Sequence, residues 1–270
     1  MFGLQIRYLS FFFGLISILS FLNIIYSYYL NLYLNLDTYY WSLIVSFLIS
    51  ILFYKIKEIN KKPNIFNKIF TVFLGYFLLP LILSIPFYFS IYNLTFINSY
   101  FEAISGFTST GFTIFDNIKH IDQSLILWRS STQWIGGLYF LFSIIFLIDI
   151  YDDSFKKSLT NFISFNSSEI LKQATKIFLL YSFLTLLIFI ILNIFSVRTF
   201  DSLNLAFTLI SSGGFLPVNE LSLIIKEKTQ VILLALLMLT SFFSIFFSYN
   251  WRFFFFHKFR FKIYQNLFII

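Results

Sequence analysis

The sequence predicts an all-α polytopic membrane protein with about six transmembrane helices and two re-entrant half-helices, each followed by a polar loop. Three observations predict this class. The chain is 59% hydrophobic and 11% charged, with a mean hydropathy of +0.84, whereas a soluble domain carries about 25% charged residues. Apolar stretches of about 20 residues, enough to cross a hydrocarbon core, recur along it. A short polar segment rich in Ser and Gly appears twice between such stretches.

Six apolar spans account for most of the chain. They lie at about 8–33, 38–55, 69–92, 122–150, 174–196 and 229–250. The first follows Arg7 and is too long for the apolar region of a signal peptide, and no small-residue cleavage site follows it. It is therefore predicted to be a retained helix. Pro80 and Pro86 predict a kink in the third span.

The basic residues predict the orientation of the spans. Fourteen of the 19 Lys and Arg fall on one side of the predicted membrane: Arg7, Lys55, Lys57, Lys61, Lys62, Lys68, Lys156, Lys157, Lys172, Lys176, Arg252, Lys258, Arg260 and Lys262. Because positive charge marks cytoplasmic segments, both termini are predicted to be cytoplasmic. We expect a multi-pass protein of the inner or plasma membrane.

Several kinds of chemistry are disfavoured. The absence of cysteine excludes disulfides, thiolate metal sites and cysteine nucleophiles. His120 and His257 lack partners at metal-ligand spacing. Asp149, Asp152 and Asp153 are interpreted as a solvated charge cluster rather than as the carboxylates of a membrane enzyme. The net charge is +7, but most of the basic residues lie on one side of the predicted membrane. Membrane topology accounts for this placement, so no nucleic-acid partner is predicted.

The two polar segments form an internal repeat. "SYFEAISGFTSTGF" (99–112) and "DSLNLAFTLISSGG" (201–214) superpose at an offset of 102 residues, which pairs Ser109 with Ser211 and Gly111 with Gly213. Each begins with an amphipathic stretch of about 11 residues, too short to span a membrane. The repeat unit is a span, a half-helix, a Ser/Gly loop and another span.

The repeat divides the chain into three predicted parts. Residues 1–66 hold two leading helices and a Lys-rich link, 67–160 the first repeat, and 161–270 the second repeat with a basic tail. Six of the nine glycines fall inside or just after the two loops, at 106, 111, 136, 137, 213 and 214. This clustering favours a specific structure over ordinary external turns.

A Gly-containing loop at membrane depth has a physical use. Non-helical backbone is tolerated there only when it is buried in protein or lines water. A half-helix followed by such a loop presents carbonyl oxygens to a dehydrated cation, and glycine permits the required backbone angles. Ser109, Thr110 and Ser212 are predicted to add hydroxyl oxygens or to anchor the loops. The loops are thus candidate selectivity filters of pore half-helices.

Three motifs in order resemble a known family. "FEAISGFTSTGFTIF" (101–115), "LWRSSTQWIGGL" (127–138) and "AFTLISSGGF" (206–215) are similar to the Trk/Ktr/HKT superfamily of potassium transporters, and most closely to its TrkH-type pore subunit. The resemblance covers essentially the whole chain, because the two leading spans also match. It implies a pore of four repeats, K⁺ as the transported ion and no covalent cofactor.

The resemblance also implies the site residues. Gly111 and Gly213 are the filter glycines, and K⁺ contacts are expected at Thr110, Gly111, Ser212 and Gly213. The remaining residues of the two loops flank these positions: Ser109, Phe112, Thr113, Ser211, Gly214 and Phe215.

Charged and small residues near the loops are predicted to support them. Glu102 is expected to raise the local cation concentration or to brace the first loop, and Arg129 to pair with Glu102 or Asp122. Asp201 is interpreted as the N-cap of the second half-helix. A further group is expected to pack behind the first loop: Gln133, Trp134, Gly136 and Gly137.

The chain holds two of the four repeats of the family, and two filter strands do not surround a K⁺ ion. A second polypeptide with two further repeats, a homodimer, or a truncated remnant are the alternatives, and a split or truncated chain is favoured over the homodimer. The resemblance implies a cytosolic nucleotide-binding regulatory partner of the TrkA/KtrA kind. The alternative function is a non-conducting membrane scaffold or assembly subunit that retains the pore-loop fold.

Overall fold

The computed structural model describes residues 7–56, 65–148 and 167–239, and within those ranges the regular structure is helical with no strand. We number the helices in chain order. They are α1 (Arg7–Tyr29), α2 (Leu36–Lys55), α3 (Ile65–Leu83), α4 (Ile85–Tyr88), α5 (Phe96–Phe107), α6 (Gln123–Ile148), α7 (Ser167–Ile194), α8 (Thr199–Ile210) and α9 (Lys228–Leu239). Short 3₁₀ turns at Ile118–His120 and Leu221–Leu223 lie in the segments that follow α5 and α8. We call these the external segments, after their predicted location outside the membrane.

The long helices confirm an all-α polytopic membrane protein. Four stretches in the described ranges are long and apolar enough to cross a membrane: Tyr8–Tyr29, Leu36–Lys55, Phe66–Tyr88 and Ile177–Ile194. The fourth predicted span forms α6, whose 26 residues extend about 39 Å at 1.5 Å per residue. The sixth predicted span begins as α9, and its part beyond Leu239 lies outside the described residues.

The two leading helices pack against each other in antiparallel fashion through small polar side chains. Ser20 donates to Ser42 across the pair at 3.0 Å, and Ser50 donates to the backbone oxygen of Ser10 at 2.7 Å. Small residues let two helices approach closely where lipid supplies no hydrophobic drive. On its other side α1 reaches α6, where the rings of Phe12 and Tyr139 meet edge to face at 4.9 Å.

The third span is interrupted at Ser84, between the two prolines. α3 contains Pro80 and ends at Leu83, and Pro86 lies in the first turn of the short helix α4. Proline has no backbone N–H, so Pro86 cannot continue the hydrogen-bond ladder of α3. The helix is therefore interrupted between the two prolines, where the sequence predicts a kink.

Helix α6 is the central element of the two repeats. It packs against α5 of the first repeat and against α8 of the second, and these two short helices also contact α3 and α7 respectively. A Cβ on Gly136 would collide with the backbone of Phe107 at the end of α5, and one on Gly137 would lie 2.8 Å from Cβ of Ser211. Two adjacent glycines thus let one helix touch the ends of both half-helices.

Candidate functional site

The half-helices α5 and α8 have the same length and end in loops with the same backbone pattern. Each has 12 residues, about 18 Å, which is too short to cross a membrane. The N–H of Thr110 donates to the oxygen of Ser105 at 3.0 Å, and that of Gly213 donates to Thr208 at 2.8 Å. Ser109 and Ser212 have left-handed φ values of 56° and 55°.

The matched backbone fixes the register of the repeat at 103 residues, so the predicted offset of 102 is wrong by one. Ser109 corresponds to Ser212, and Gly111 corresponds to Gly214 rather than to Gly213. The run "SSGG" fits either register by residue type, and only the hydrogen bonds distinguish them. Gly213 accordingly stands where the first loop has Thr110.

The two loops meet backbone to backbone at the matched glycines. Gly111 has a φ of 80°, and a Cβ placed on it would lie 2.8 Å from Cα of Gly214. A Cβ on Gly214 would in turn lie 3.3 Å from Cα of Gly111. Only glycine combines that φ with so close an approach. The structure therefore brings together the two segments that the sequence marked as candidate filters.

The hydroxyl side chains of the loops divide into anchors and exposed groups. Ser105 donates to the oxygen of Phe112 at 2.6 Å, and Ser211 donates to the oxygen of Phe207 at 2.9 Å. Thr110 and Ser212 are exposed, and the hydroxyl of Thr110 lies 2.7 Å from that of Thr108. The anchors hold each loop onto its own half-helix, whereas the hydroxyls of Thr110 and Ser212 lie at the surface.

A buried ion pair lies beneath the first loop. Arg129 of α6 donates through Nε to Glu102 of α5 at 2.8 Å, and the side chains are 1% and 0% exposed. The other carboxylate oxygen accepts from the backbone N–H of Ile114 at 3.0 Å. Thr113 completes the group, since its hydroxyl lies 3.0 Å from Glu102 and accepts from Nη2 of Arg129 at 3.0 Å. The predicted pairing of Arg129 with Glu102 is confirmed.

Arg129 also reaches the second loop. Its Nη1 donates to the backbone oxygen of Leu216 at 3.5 Å, and its Cζ lies 4.2 Å from the centroid of the Phe215 ring. A guanidinium over an aromatic face is attracted by the ring electrons. One buried cation thus links the carboxylate of the first repeat with the aromatic residue of the second.

Gln133, one turn further along α6, lies behind the second loop. Its Oε1 accepts from the backbone N–H of Phe215 at 3.3 Å and lies 2.7 Å from the hydroxyl of Thr208. A Cβ on Gly213 would collide with the Gln133 amide.

The prediction that Gln133 packs behind the first loop is wrong, as is the same prediction for Gly137, which faces Ser211. Gly136 does pack against the first half-helix, and Trp134 instead donates to Thr185 of α7 at 3.0 Å.

Comparisons with known proteins agree with this geometry. The structure superposes on the potassium transporter TrkH of Vibrio parahaemolyticus with a TM-score of 0.69 and 17% identity, over 87% of this chain and 48% of that one. The sequence is 26% identical to the Trk system potassium uptake protein TrkH of Salmonella typhimurium over 139 residues, 49% of this chain and 29% of that protein. The chain is thus similar to TrkH-type proteins of the Trk/Ktr/HKT superfamily, in its fold and in part of its sequence.

Other relatives match part of the chain as well. It is 24% identical over 220 residues to an uncharacterized cation transporter of Methanocaldococcus jannaschii, over 77% of this chain and 44% of that protein. It is 44% identical over 46 residues to the potassium uptake protein TrkG of Escherichia coli, 17% of this chain and 10% of that one. No family model matches. The chain spans less than half the length of these relatives, whose names describe transporters rather than enzymes.

The second half-helix of the TrkH-type fold is not capped as predicted. Helix α8 begins at Thr199 with Arg198 at the N-cap position, and no side-chain cap bond forms there. Asp201 lies in the first turn and is buried. The N-cap prediction is wrong because the helix begins two residues earlier, although a carboxylate in the first turn still complements the helix dipole.

An asparagine pair that sequence reasoning missed joins the outer ends of the two external segments. Oδ1 of Asn219 accepts from the backbone N–H of Ile118 at 2.7 Å, and Nδ2 of Asn219 donates to Oδ1 of Asn117 at 3.0 Å. The signal was present in the sequence, because both segments carry an asparagine shortly after the loop. The pair fixes the two segments that follow the loops to each other.

The described part of the chain contains no cluster of three or more His, Cys, Asp or Glu residues placed to hold a metal ion. The ligands expected for a transported alkali ion are backbone carbonyls and hydroxyls, which such a cluster does not include. Asp149, Asp152, Asp153 and His257 lie outside the described residues, as do the basic residues of the tail.

Proposed function

We propose that this TrkH-type chain contributes two of the four filter strands of a potassium-uptake pore. The observation that carries the proposal is the contact of Gly111 with Gly214 at matched positions of two loops, each at the end of a half-helix. The names of the relatives, which describe potassium uptake and cation transport, support the choice of ion.

The loops provide the chemistry that an alkali cation needs. Backbone carbonyl oxygens replace water around the ion, and the C-terminal ends of α5 and α8 add the negative end of each helix dipole. We assign the K⁺ contacts to Thr110, Gly111, Ser212 and Gly213, and the structural register adds Gly214 as the partner of Gly111. Inward movement is driven by the membrane potential, about 2.3 kcal/mol per charge per 100 mV.

The buried groups beneath the loops are assigned a supporting role. Glu102, Arg129 and Gln133 hold backbone atoms of the loops, and Gly136 and Gly137 let α6 approach both half-helices. Because Arg129 is paired with a carboxylate, its charge is neutralised where a cation passes.

The remaining two strands are assigned to a partner in the membrane, either a second polypeptide with two further repeats or a second copy of this chain. The relatives are more than twice as long as the part of them that this chain matches. We further place the chain in the inner or plasma membrane, with both termini on the cytoplasmic side. A nucleotide-binding regulatory subunit of the TrkA/KtrA kind is proposed to dock on the basic cytoplasmic face.

Growth of a potassium-transporter-deficient strain at limiting K⁺ tests the proposal. The chain is expressed alone, and together with the C-terminal half of a relative such as TrkH of Escherichia coli. We expect rescue in at least one combination and its loss in Gly111→Ser. The control is Gly14→Ala, because a Cβ there meets Ser50 at an ordinary 3.4 Å. Membrane-inserted protein that gives no rescue in either combination overturns the transport assignment and favours the scaffold function.

A further inference from the structure

We propose that Gln133 determines the ion selectivity of the second loop. Its amide oxygen holds the backbone of that loop, and its amide nitrogen offers a hydrogen-bond donor to a loop carbonyl oxygen that turns away from the ion. The proposal rests on the potassium-transport function proposed above and adds the residue that regulates one of its two loops. Gln133 is a positioning residue, since it acts on the ion only through the backbone of the second loop.

The acceptor end of the amide is fully engaged. The backbone N–H of Phe215 donates to Oε1, which identifies that atom as the oxygen, because an N–H requires an acceptor. The hydroxyl of Thr208 lies 2.7 Å from the same oxygen and 2.8 Å from the carbonyl oxygen of Phe215. Thr208 has a single hydroxyl proton, so it donates to one of these oxygens at a time. The amide and the threonine therefore fix the base of the second loop together.

The donor end of the amide has no partner within the described residues, although the side chain is fully buried. Nε2 makes no hydrogen bond and Gln133 is 0% exposed. A buried donor without a partner is unfavourable, and native structures rarely leave one at random. The backbone of Gly213 lies against this amide, since a Cβ on Gly213 would lie 2.6 Å from Nε2. A carbonyl oxygen of the Ser212–Gly213 segment that turns away from the ion would meet this donor.

Among the residues that the structure describes, no buried side-chain donor beneath the first loop lacks a partner. Its clamp is the Glu102–Arg129 pair, in which each charged group is already hydrogen-bonded to its partner and to Thr113. A charged, fully satisfied clamp holds one backbone arrangement. The neutral amide of Gln133 allows two backbone arrangements of the second loop, with a carbonyl oxygen turned either towards the ion or towards Nε2. The balance between the two arrangements depends on how strongly the ion in the filter binds the carbonyl oxygens. The second loop is thus the part that responds to which ion is present.

The experiment measures rubidium uptake and its inhibition by K⁺ and by Na⁺, and the ratio of the two inhibitions gives the preference for K⁺ over Na⁺. It uses the potassium-transporter-deficient strain, with the wild-type chain expressed in whichever combination restores growth. Gln133→Met keeps the side-chain length and removes both ends of the amide. Thr208→Val keeps the shape of Thr208 and removes its donor. The matched control is Gln230→Met, because Gln230 is also buried and hydrogen-bonded but caps the start of α9. The amount of membrane-inserted protein is measured for each variant.

We expect the K⁺/Na⁺ preference to fall about tenfold in Gln133→Met, which loses the contacts of one amide, and by less in Thr208→Val. Gln230→Met keeps the wild-type preference even where its amount is reduced. An unchanged preference in both Gln133→Met and Thr208→Val overturns the inference, because a merely structural residue alters the amount of protein and not the ratio. If Gln133→Met does not accumulate, Thr208→Val alone decides. Absence of rubidium uptake by wild type overturns the proposed function itself, a different outcome from normal uptake with unchanged preference.

Discussion

The two loops share one backbone but are held in different ways. The first is braced within its own repeat by the Glu102–Arg129 ion pair, and its Phe112 side chain is 68% exposed. The second is braced from the preceding repeat by Gln133 and Arg129 of α6, and the corresponding Phe215 is 1% exposed. The comparison shows that helix α6 closes the back of the next loop along the chain, whereas the face around Phe112 is not covered by any described residue in the same way.

The largest effect is expected from breaking the ion pair of the first loop. Arg129→Leu leaves Glu102 buried and unpaired, which costs about 3–5 kcal/mol of stability. It also removes the cation over Phe215, so both loops lose support. Thermal unfolding of the detergent-solubilised protein measures the loss.

The control for this change is Arg198→Leu, since Arg198 is exposed and should tolerate substitution within about 0.5 kcal/mol. The double variant Glu102→Leu with Arg129→Leu should be more stable than the sum of the single changes predicts. Additive losses would contradict the pairing.

A second comparison sets the matched phenylalanines against each other. Phe215→Ala removes a buried ring and its contact with Arg129, at a cost of about 3 kcal/mol. Phe112→Ala removes an exposed ring from the isolated chain and should change stability by less than about 0.5 kcal/mol. Denaturant unfolding of both variants provides the measurement. Equal losses would mean that the two loops are supported alike.

The matched glycines give a smaller but sharper difference. Gly111→Ala combines a left-handed φ with a contact at 2.8 Å and should lower the unfolding free energy by about 2 kcal/mol. Gly214→Ala meets its neighbour at 3.3 Å and lies outside the left-handed region, so we expect less than half that loss. Thermal unfolding at fixed K⁺ measures both, and a reversed order would contradict the loop geometry.

The smallest effect is expected at the outer asparagine pair. Asn219→Ala removes two hydrogen bonds between the external segments and should lower stability by about 1 kcal/mol. Hydrogen exchange of the Ile118 amide should become faster, because its acceptor is lost. Ser222→Ala is the control, since the exposed Ser222 hydroxyl bonds only to Glu220 among the described residues. An unchanged exchange rate at Ile118 would show that the pair does not hold the segments together.

Much of the fold could be predicted because it follows from long apolar runs. Twenty apolar residues have few alternatives to a spanning helix, and two short amphipathic stretches between spans are too short for anything but half-helices. The Glu102–Arg129 pair was also predictable, since two opposite charges near the membrane interior are expected to find each other. Pro80 and Pro86 likewise predicted an irregularity in the third span, which the structure has at Ser84.

The errors share a cause, which is that composition does not fix position to one residue. "SSGG" satisfies two registers equally, and only the bonds to Ser105 and Thr208 choose between them. Gln133 belongs to the first repeat by sequence, yet its amide contacts Phe215 and Thr208 of the second repeat. Asp201 is a good cap by residue type, yet tertiary packing starts the helix at Thr199.

The adjacent glycines of α6 have a mechanical consequence. Gly136 touches the end of one half-helix, while Gly137 touches the first residue after the other. One helix therefore supports both loops at neighbouring points. The contact between Gly111 and Gly214 depends on the position of α6, because adjacent residues of that helix meet the ends of both half-helices.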